Sequence, residues 1–273
     1  MDQDRERIIF TIFDYPGAMT IHWPFLSPRN QTAKLAPGTR IYAVGDIHGE
    51  AGLFKQLLDR IEDDSAARGP AAVRIILLGD FIDRGPAAAG LLLALAGCAD
   101  PRLTILKGNH EASMVRAYRG DLAALALWLR FGGVPTLVGL GAAPEELDSE
   151  DPDALLATLH RCVAAEMIDW LEALPAGVEI DDYFFTHAGI RPGVPLDEQV
   201  EDDLLWIRRP FLTSRRQHAK VIVHGHTIDQ HVRLGSNRIG VDTGAHRYGR
   251  LTALGLQDDR QWTIEARDER DFG

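Results

Sequence analysis

The sequence predicts an α/β fold in which a parallel sheet is followed by a helical segment and then by a second, mixed sheet. Three observations point there. Short apolar runs alternate with segments of helical period from residue 40 to residue 106. A long stretch of helical periodicity continues to residue 174, and short strand-like runs separated by glycine-rich turns return after Pro175.

Taken in order, residues 1–39 read as an extension of different character, with prolines at Pro16, Pro24, Pro28 and Pro37. Within it, 7–13 and 20–23 have the form of a hairpin turning at 14–17, to which no function attaches. Residues 40–273 read as one domain. A strand over 41–44, a helix over 53–61, a strand over 73–78, a helix over 86–96 and a strand over 103–106 form a βαβαβ pattern, which implies parallel strands joined by helical crossovers. Pro86 suits a first helical turn, where its missing amide donor costs nothing. Residues about 111–175 form a helical insertion. Leu122, Leu125 and Leu129 share one face, and Leu155, Leu159, Val163, Ile168 and Leu171 continue the spacing. Strands over 178–180, 183–186, 221–223, 232–234, 238–241 and 251–256 then supply the second sheet.

Composition bounds the function. A chain of 273 residues that is 45% hydrophobic can bury one large core. Its apolar stretch at 87–99 falls short of the roughly 20 residues that span a bilayer, and reads as a buried helix. The first residues, with Asp2, Asp4 and Glu6, lack the basic head and apolar run of a secretory signal, so a cytoplasmic setting without membrane contact is expected. Cys98 and Cys162 have neither metal nor redox spacing and are expected to be buried, reduced thiols. An excess of 40 acidic over 29 basic residues gives a net charge of −11, which argues against stable nucleic-acid binding; any affinity for anions must be local. The acidic runs at 145–153, 197–203 and 258–259 read as solvated faces.

Five glycine-flanked polar motifs carry the chemistry: GDIHG at 45–49, GDFIDRG at 79–85, GNHE at 108–111, HAG at 187–189 and GHT at 225–227. The first three stand where predicted strands stop and the last two lie among the later strands, where loops can aim ligands at one point. Asp46 and His48 offer an oxygen and an imidazole nitrogen. Asp80 follows the next strand, and its two oxygens can bridge two ions roughly 3.5–4 Å apart. Asn109 contributes a neutral oxygen in place of a third carboxylate. Two divalent ions, two carboxylates and a hydroxide leave about +1, so a phosphoester dianion is still attracted. His187 and His226 complete the set. His22, His160, His218, His231 and His246 lie outside the motifs and read as ordinary core histidines.

These motifs resemble those of the phosphoprotein phosphatases within the calcineurin-like metallophosphoesterases, the small bacterial and phage members above all, over roughly residues 40–256. The resemblance implies the αββα metallophosphoesterase fold, two mixed β-sheets sandwiched between helices, with 40–273 as the catalytic domain. It implies that Asp46, His48 and Asp80 hold one metal and that Asp80, Asn109, His187 and His226 hold the second, manganese being favoured with iron or zinc compatible. His110 is carried over as the general acid, with Asp83 behind it fixing its tautomer; a helix-cap role for Asp83 competes. Arg84 and Arg208, with Asn109, are implied to clamp the phosphate. Arg209 is the neighbour most easily confused with Arg208. Asp242 is expected to hold a turn and Tyr248 to line the cleft.

The implied reaction is one-step hydrolysis of a phosphorylated protein or peptide by a metal-bridging hydroxide. Two departures narrow the branch. Wider calcineurin-like esterases often carry a second histidine where this chain has Ile228, and hydrolases of symmetrical diadenosine tetraphosphate typically carry alanine at the position of Asp83. A serine/threonine or dual-specificity phosphatase is therefore expected, with a diadenosine tetraphosphate or nucleic-acid-end phosphohydrolase as the alternative. A non-catalytic phosphopeptide-binding scaffold is the reading from another class; it would be marked by lost ligands, and none is lost here. The acidic exterior around a cationic pocket predicts phosphosites in neutral or basic surroundings.

Overall fold

The computed structural model describes residues 33–268. The hairpin expected at 7–23 lies outside them, as does His22. The first sheet has the order β10-β9-β1-β2-β3. Its central strands β1 (Thr39–Val44), β2 (Ala72–Leu77) and β3 (Leu103–Ile105) are parallel, joined by helices α1 (Ala51–Ala67) and α2 (Ala88–Ala96) as the βαβαβ pattern predicts. The second sheet, β4-β5-β6-β8-β7, is built from β4 (Gly177–Ile180), β5 (Tyr183–Thr186), β6 (Val221–His224), β7 (Arg233–Leu234) and β8 (Arg238–Gly240). Here β5, β6 and β8 run parallel and the edges antiparallel.

One strand moves between sheets. The run expected at 251–256 becomes β9 (Arg250–Gln257), which pairs antiparallel with β1 and not with the second sheet. A hairpin at Asp258 returns it into β10 (Arg260–Arg267), an edge strand missed because its alternating polar residues lack an apolar run. Both sheets are therefore mixed.

Alternation along β1 shows the layering. Ile41 and Ala43 face a core shared with Ile76, Leu78, Tyr183, Phe185, Val223 and Ile239, between the sheets; Tyr42 and Val44 face a core with Leu57, Ile61 and Leu92 from the helices. A third cluster, with Phe184, Ile222 and Phe211, covers the outer face of the second sheet. The result is helices, sheet, sheet and helices. Ala33 and Leu35 are buried in the inter-sheet core, so residues before 40 already belong to this unit.

The insertion comprises α3 (Asn109–Tyr118), α4 (Leu122–Trp128), α5 (Val134–Gly139), α6 (Pro152–Cys162) and α7 (Ala165–Ala173). The apolar stretch Leu122–Gly139 is long enough to cross a membrane by length and composition; 33% of it is buried, and the helix is broken at Gly132, where φ is 136°. The short helices α8 (Glu201–Trp206) and α9 (Ala245–Tyr248) follow. Cys98 is exposed beyond the end of α2 and Cys162 is half-buried, so the expected burial of both thiols does not hold. His160, His231 and His246 are exposed and His218 is half-buried; these four are not core residues.

Candidate metal centre

All five motifs leave the carboxyl ends of parallel strands: β1, β2 and β3 in one sheet, β5 and β6 in the other. That is where open α/β sheets gather ligands. The backbone there is unusual. His48, Asp80, Asp83, Arg84 and His226 all have φ between 45° and 69°, the left-handed region that side chains other than glycine rarely adopt. Such outliers cost of order 1–3 kcal/mol each and persist only where the surroundings dictate them; five of them gather in these loops. Glycine leaves the carboxylates their room: a Cβ at Gly108 would sit 2.2 Å from Asp80 Oδ1, and one at Gly225 2.1 Å from Asp46 Oδ1.

Asp80 is the centre of the arrangement. Its Oδ2 lies 3.7 Å from His48 Nε2 on one side and 3.3 Å from His187 Nε2 on the other. Two buried groups able to hold a metal ion share it, His48–Asp80–His110 and Asp80–His187–His226. Asn109 Oδ1 and His226 Nδ1 lie 2.8 Å and 3.1 Å from His187 Nε2. His48 and His187 each direct Nδ1 to a backbone carbonyl, of Ile82 at 3.1 Å and of Leu78 at 2.9 Å. Both therefore present Nε2 inward in a fixed orientation, the usual preparation of a ligating imidazole. Asp46 is buried beside this group and accepts the His226 backbone N–H with both oxygens at 3.1 Å. The donor set of carboxylate oxygens, an amide oxygen and imidazoles, without thiolate, fits a pair of divalent transition metals.

His110 stands apart in its contacts. Its Nδ1 lies 2.6 Å from Asp83 Oδ2, while Nε2 faces the cleft 4.0 Å from Asp80 Oδ2. Asp83 caps no helix, since α2 has no side-chain cap; its carboxylate goes to His110, Trp128 and Thr136 instead. Arg84 reaches His48 Nε2 and His110 Nε2, both at 2.9 Å, and Arg208 Nε donates to His226 Nε2 at 3.1 Å. Arg208 lines the cleft and Arg209 does not. Tyr248 is likewise absent from the lining; the neighbouring Arg247 takes that place, its guanidinium over the Tyr248 ring. Asp242 holds its turn by accepting the Gly244 N–H at 2.9 Å, and it also faces the cleft. The cleft has a volume of about 800 Å³, with Leu127, Phe131 and Trp206 forming an apolar wall beyond the polar floor.

Glu111 is a site residue that motif reading passed over. Fully buried, it accepts four backbone N–H groups: Gly108 at 2.8 Å, Asp80 at 2.9 Å, Phe81 at 3.0 Å and Ile82 at 3.2 Å. One carboxylate thus ties the Asp80 loop to the start of α3. The signal available in the sequence was an acidic residue at the third helical position after Gly108.

The charges respond to this crowding. Burial opposes ionisation of Asp80, but His187, His110 and His48 around it hold its carboxyl well below the usual range. Burial alone would push the His187 imidazole down, yet Asp80 and Asp46 outweigh it and hold it up at about 10. Burial, with Asp242 next, pushes Asp46 well up, while burial and then His187 press His226 down to about 3.

A folded pKa raised from 6.5 to about 10 contributes stability that is fully present below 6.5 and is lost as the pH rises through about 10. A metal ion bound through His187 would then have to displace a proton from it. Manganese titrated into metal-free protein at pH 7 is therefore expected to release about one proton or more, and to bind more tightly as the pH rises from 6 to 8. Calorimetry in two buffers of different ionisation enthalpy checks this; identical observed heats in the two buffers would contradict it.

The calcineurin-like phosphoesterase family profile matches residues 39–248. The chain belongs to this family. Serine/threonine-protein phosphatase 2 of Escherichia coli is 31% identical over 228 residues, covering 78% of this chain and 90% of that one. A symmetrical bis(5′-nucleosyl)-tetraphosphatase of Chromohalobacter salexigens is 31% identical over 153 residues, 55% of this chain and 45% of the relative, so the chain matches less than half of that protein's length. A crystal structure provisionally described as a diadenosine tetraphosphatase superposes with a TM-score of 0.60 at 18% identity, over 86% of this chain and 99% of that one, which bears on the fold alone. As a calcineurin-like phosphoesterase, the chain has the α/β sandwich that the family implies, with Asp and His groups positioned for metal.

Proposed function

We propose that this calcineurin-like phosphoesterase is a dinuclear-metal-dependent phosphomonoester hydrolase acting on phosphorylated serine or threonine side chains of proteins or peptides. Asp46, His48 and Asp80 would hold one ion and Asp80, Asn109, His187 and His226 the other, within a catalytic domain whose core already includes Ala33 and Leu35. When bound, the two ions, manganese by preference, lower the pKa of a water and take up phosphate charge. The remaining work falls to the protein. Arg84 and Arg208 orient the phosphate oxygens, and His110 gives its Nε2 proton to the departing oxygen while its Nδ1–H stays donated to Asp83.

The observation that carries this reading is the buried His110–Asp83 pair, 2.6 Å apart, with His110 lining the same cleft as Asp80, Arg84 and Arg208. Alkoxide leaving groups need such an acid more than phosphoanhydrides do. The similarity to the E. coli phosphatase over 90% of its length supports the same choice over the tetraphosphatases. The complete ligand set speaks against a non-catalytic phosphopeptide scaffold. A panel of phosphoserine peptide, phosphotyrosine peptide and diadenosine tetraphosphate, assayed with manganese, tests it: the phosphoserine peptide is expected to give the highest kcat/KM. Preference for the dinucleotide would establish the alternative, and inertness toward all three would return the scaffold.

The arginine assignment has its own test. Losing a charge-assisted contact of about 1.5–3 kcal/mol, Arg208→Ala is expected to lower kcat/KM by roughly 10–100-fold, whereas Arg209→Ala stays within about twofold. Equal losses in the two variants would refute the assignment.

A further inference from the structure

The helical insertion reaches back to the reactive loop through one short kinked stretch, residues 128–136. Trp128, buried at the end of α4, donates its indole Nε1–H to Asp83 Oδ2 at 2.7 Å. Thr136, fully buried in α5, donates its hydroxyl to the other oxygen, Oδ1, at 2.5 Å, and its Oγ1 accepts the Asp83 backbone N–H at 3.1 Å. Between them, the carbonyl of Gly132 accepts the Arg84 backbone N–H at 2.9 Å. Gly132 itself is at φ 136°, and a Cβ there would come within 2.7 Å of Arg84 Cγ. The two residues so held, Asp83 and Arg84, are both in the left-handed region, at φ 69° and 66°.

We propose that Trp128 and Thr136 are positioning residues for the proton-donating step, acting on His110 through Asp83. The inference rests on His110 being the general acid. A carboxylate with one donor can rotate about its Cβ–Cγ bond, whereas here Trp128 holds the oxygen that His110 uses and Thr136 holds its mate. The plane of the carboxylate is thereby fixed, and with it the direction in which the imidazole points Nε2. A buried indole N–H and hydroxyl need partners in any core. Convergence of both on the carboxylate that engages His110 Nδ1, from two helices on either side of a kink, goes beyond that requirement. The insertion thus serves as a brace for the acid as well as a wall of the cleft.

Variants Trp128→Phe, Thr136→Val and Thr136→Ser separate positioning from bulk packing. With manganese content verified, kcat is measured on a phosphoserine peptide, whose alkoxide needs a proton, and on p-nitrophenyl phosphate, whose leaving group scarcely does. Trp128→Phe and Thr136→Val are expected to lower kcat on the peptide by roughly tenfold, with KM unchanged, while p-nitrophenyl phosphate loses less than about threefold. Thr136→Ser, which keeps the hydroxyl, restores the peptide rate. Equal losses on both substrates, or no loss on either, would overturn the proposal.

A second readout needs no turnover. The proton on His110 Nδ1 is expected as a downfield ¹H resonance in the metal-free protein, absent in His110→Asn and displaced in Thr136→Val but not in Thr136→Ser. An unmoved resonance in every variant would also overturn it. Should the unmodified protein hydrolyse neither substrate, the assigned function fails, and the resonance alone decides whether the brace exists.

Discussion

Asp80→Asn is expected to abolish metal binding and turnover together, the largest single effect in the molecule. Asp80 is the one side chain common to both potential metal groups, with Oδ2 3.7 Å from His48 Nε2 and 3.3 Å from His187 Nε2. Substitution by an amide removes a charge from the centre of the site and replaces one acceptor oxygen with a donor aimed at imidazole nitrogens. Changes behind a ligand already cost about 10–100-fold in metal affinity, so loss of the shared ligand costs more. The fold is expected to survive, because Glu111 pins the loop through the Asp80 backbone, and an asparagine oxygen can still accept the His110 backbone N–H that Asp80 Oδ1 takes at 2.9 Å. Elemental analysis after purification, paired with circular dichroism, checks this. A folded Asp80→Asn protein that retains two equivalents of metal would contradict it.

His110→Asn is expected to act at a different point. Metal content stays near that of the unmodified protein, while kcat on a phosphoserine peptide falls by roughly 10²–10⁴. The geometry explains the separation: Nδ1 is engaged with Asp83 at 2.6 Å, and Nε2 stands farther from Asp80, at 4.0 Å, than the corresponding atom of His48 or His187. Burial works against a charged His110, but Asp80 and then Asp83 raise its pKa, which keeps the proton available for transfer. On p-nitrophenyl phosphate the loss should be much smaller. Loss of metal in His110→Asn would show instead that it acts as a ligand, as its place in the His48–Asp80–His110 group allows.

Much of this site was legible in the sequence because its parts are local. Each motif sits where an apolar run ends, and parallel strands with helical crossovers must bring such ends to one edge of a sheet. Asp46, His48, Asp80, Asn109, His110, His187 and His226 are gathered accordingly. Arg208 reaches the cleft and Arg209 does not, as the opposite directions of adjacent side chains require. What escaped depends on tertiary partners that no local pattern encodes. Trp128 and Thr136 look like ordinary core residues of an apolar helix, and only packing brings them to Asp83. Glu111 looks like the tail of a metal motif, yet it binds four backbone amides. β9 pairs with β1 and not with the second sheet, which the sequence does not reveal because a strand's period gives its faces and not its neighbours. The thiols of Cys98 and Cys162 were expected inside because the residue type is usually buried, whereas a short helix end left one outside.

The proposed function requires the Asp80 carboxylate to lie between two cations. Crystals grown with manganese and measured at wavelengths on either side of its absorption edge answer it directly. Two anomalous peaks roughly 3.5–4 Å apart, one toward His48 and one toward His187, with Asp80 between them, are the expected result. A single peak, or peaks away from Asp80, would contradict it.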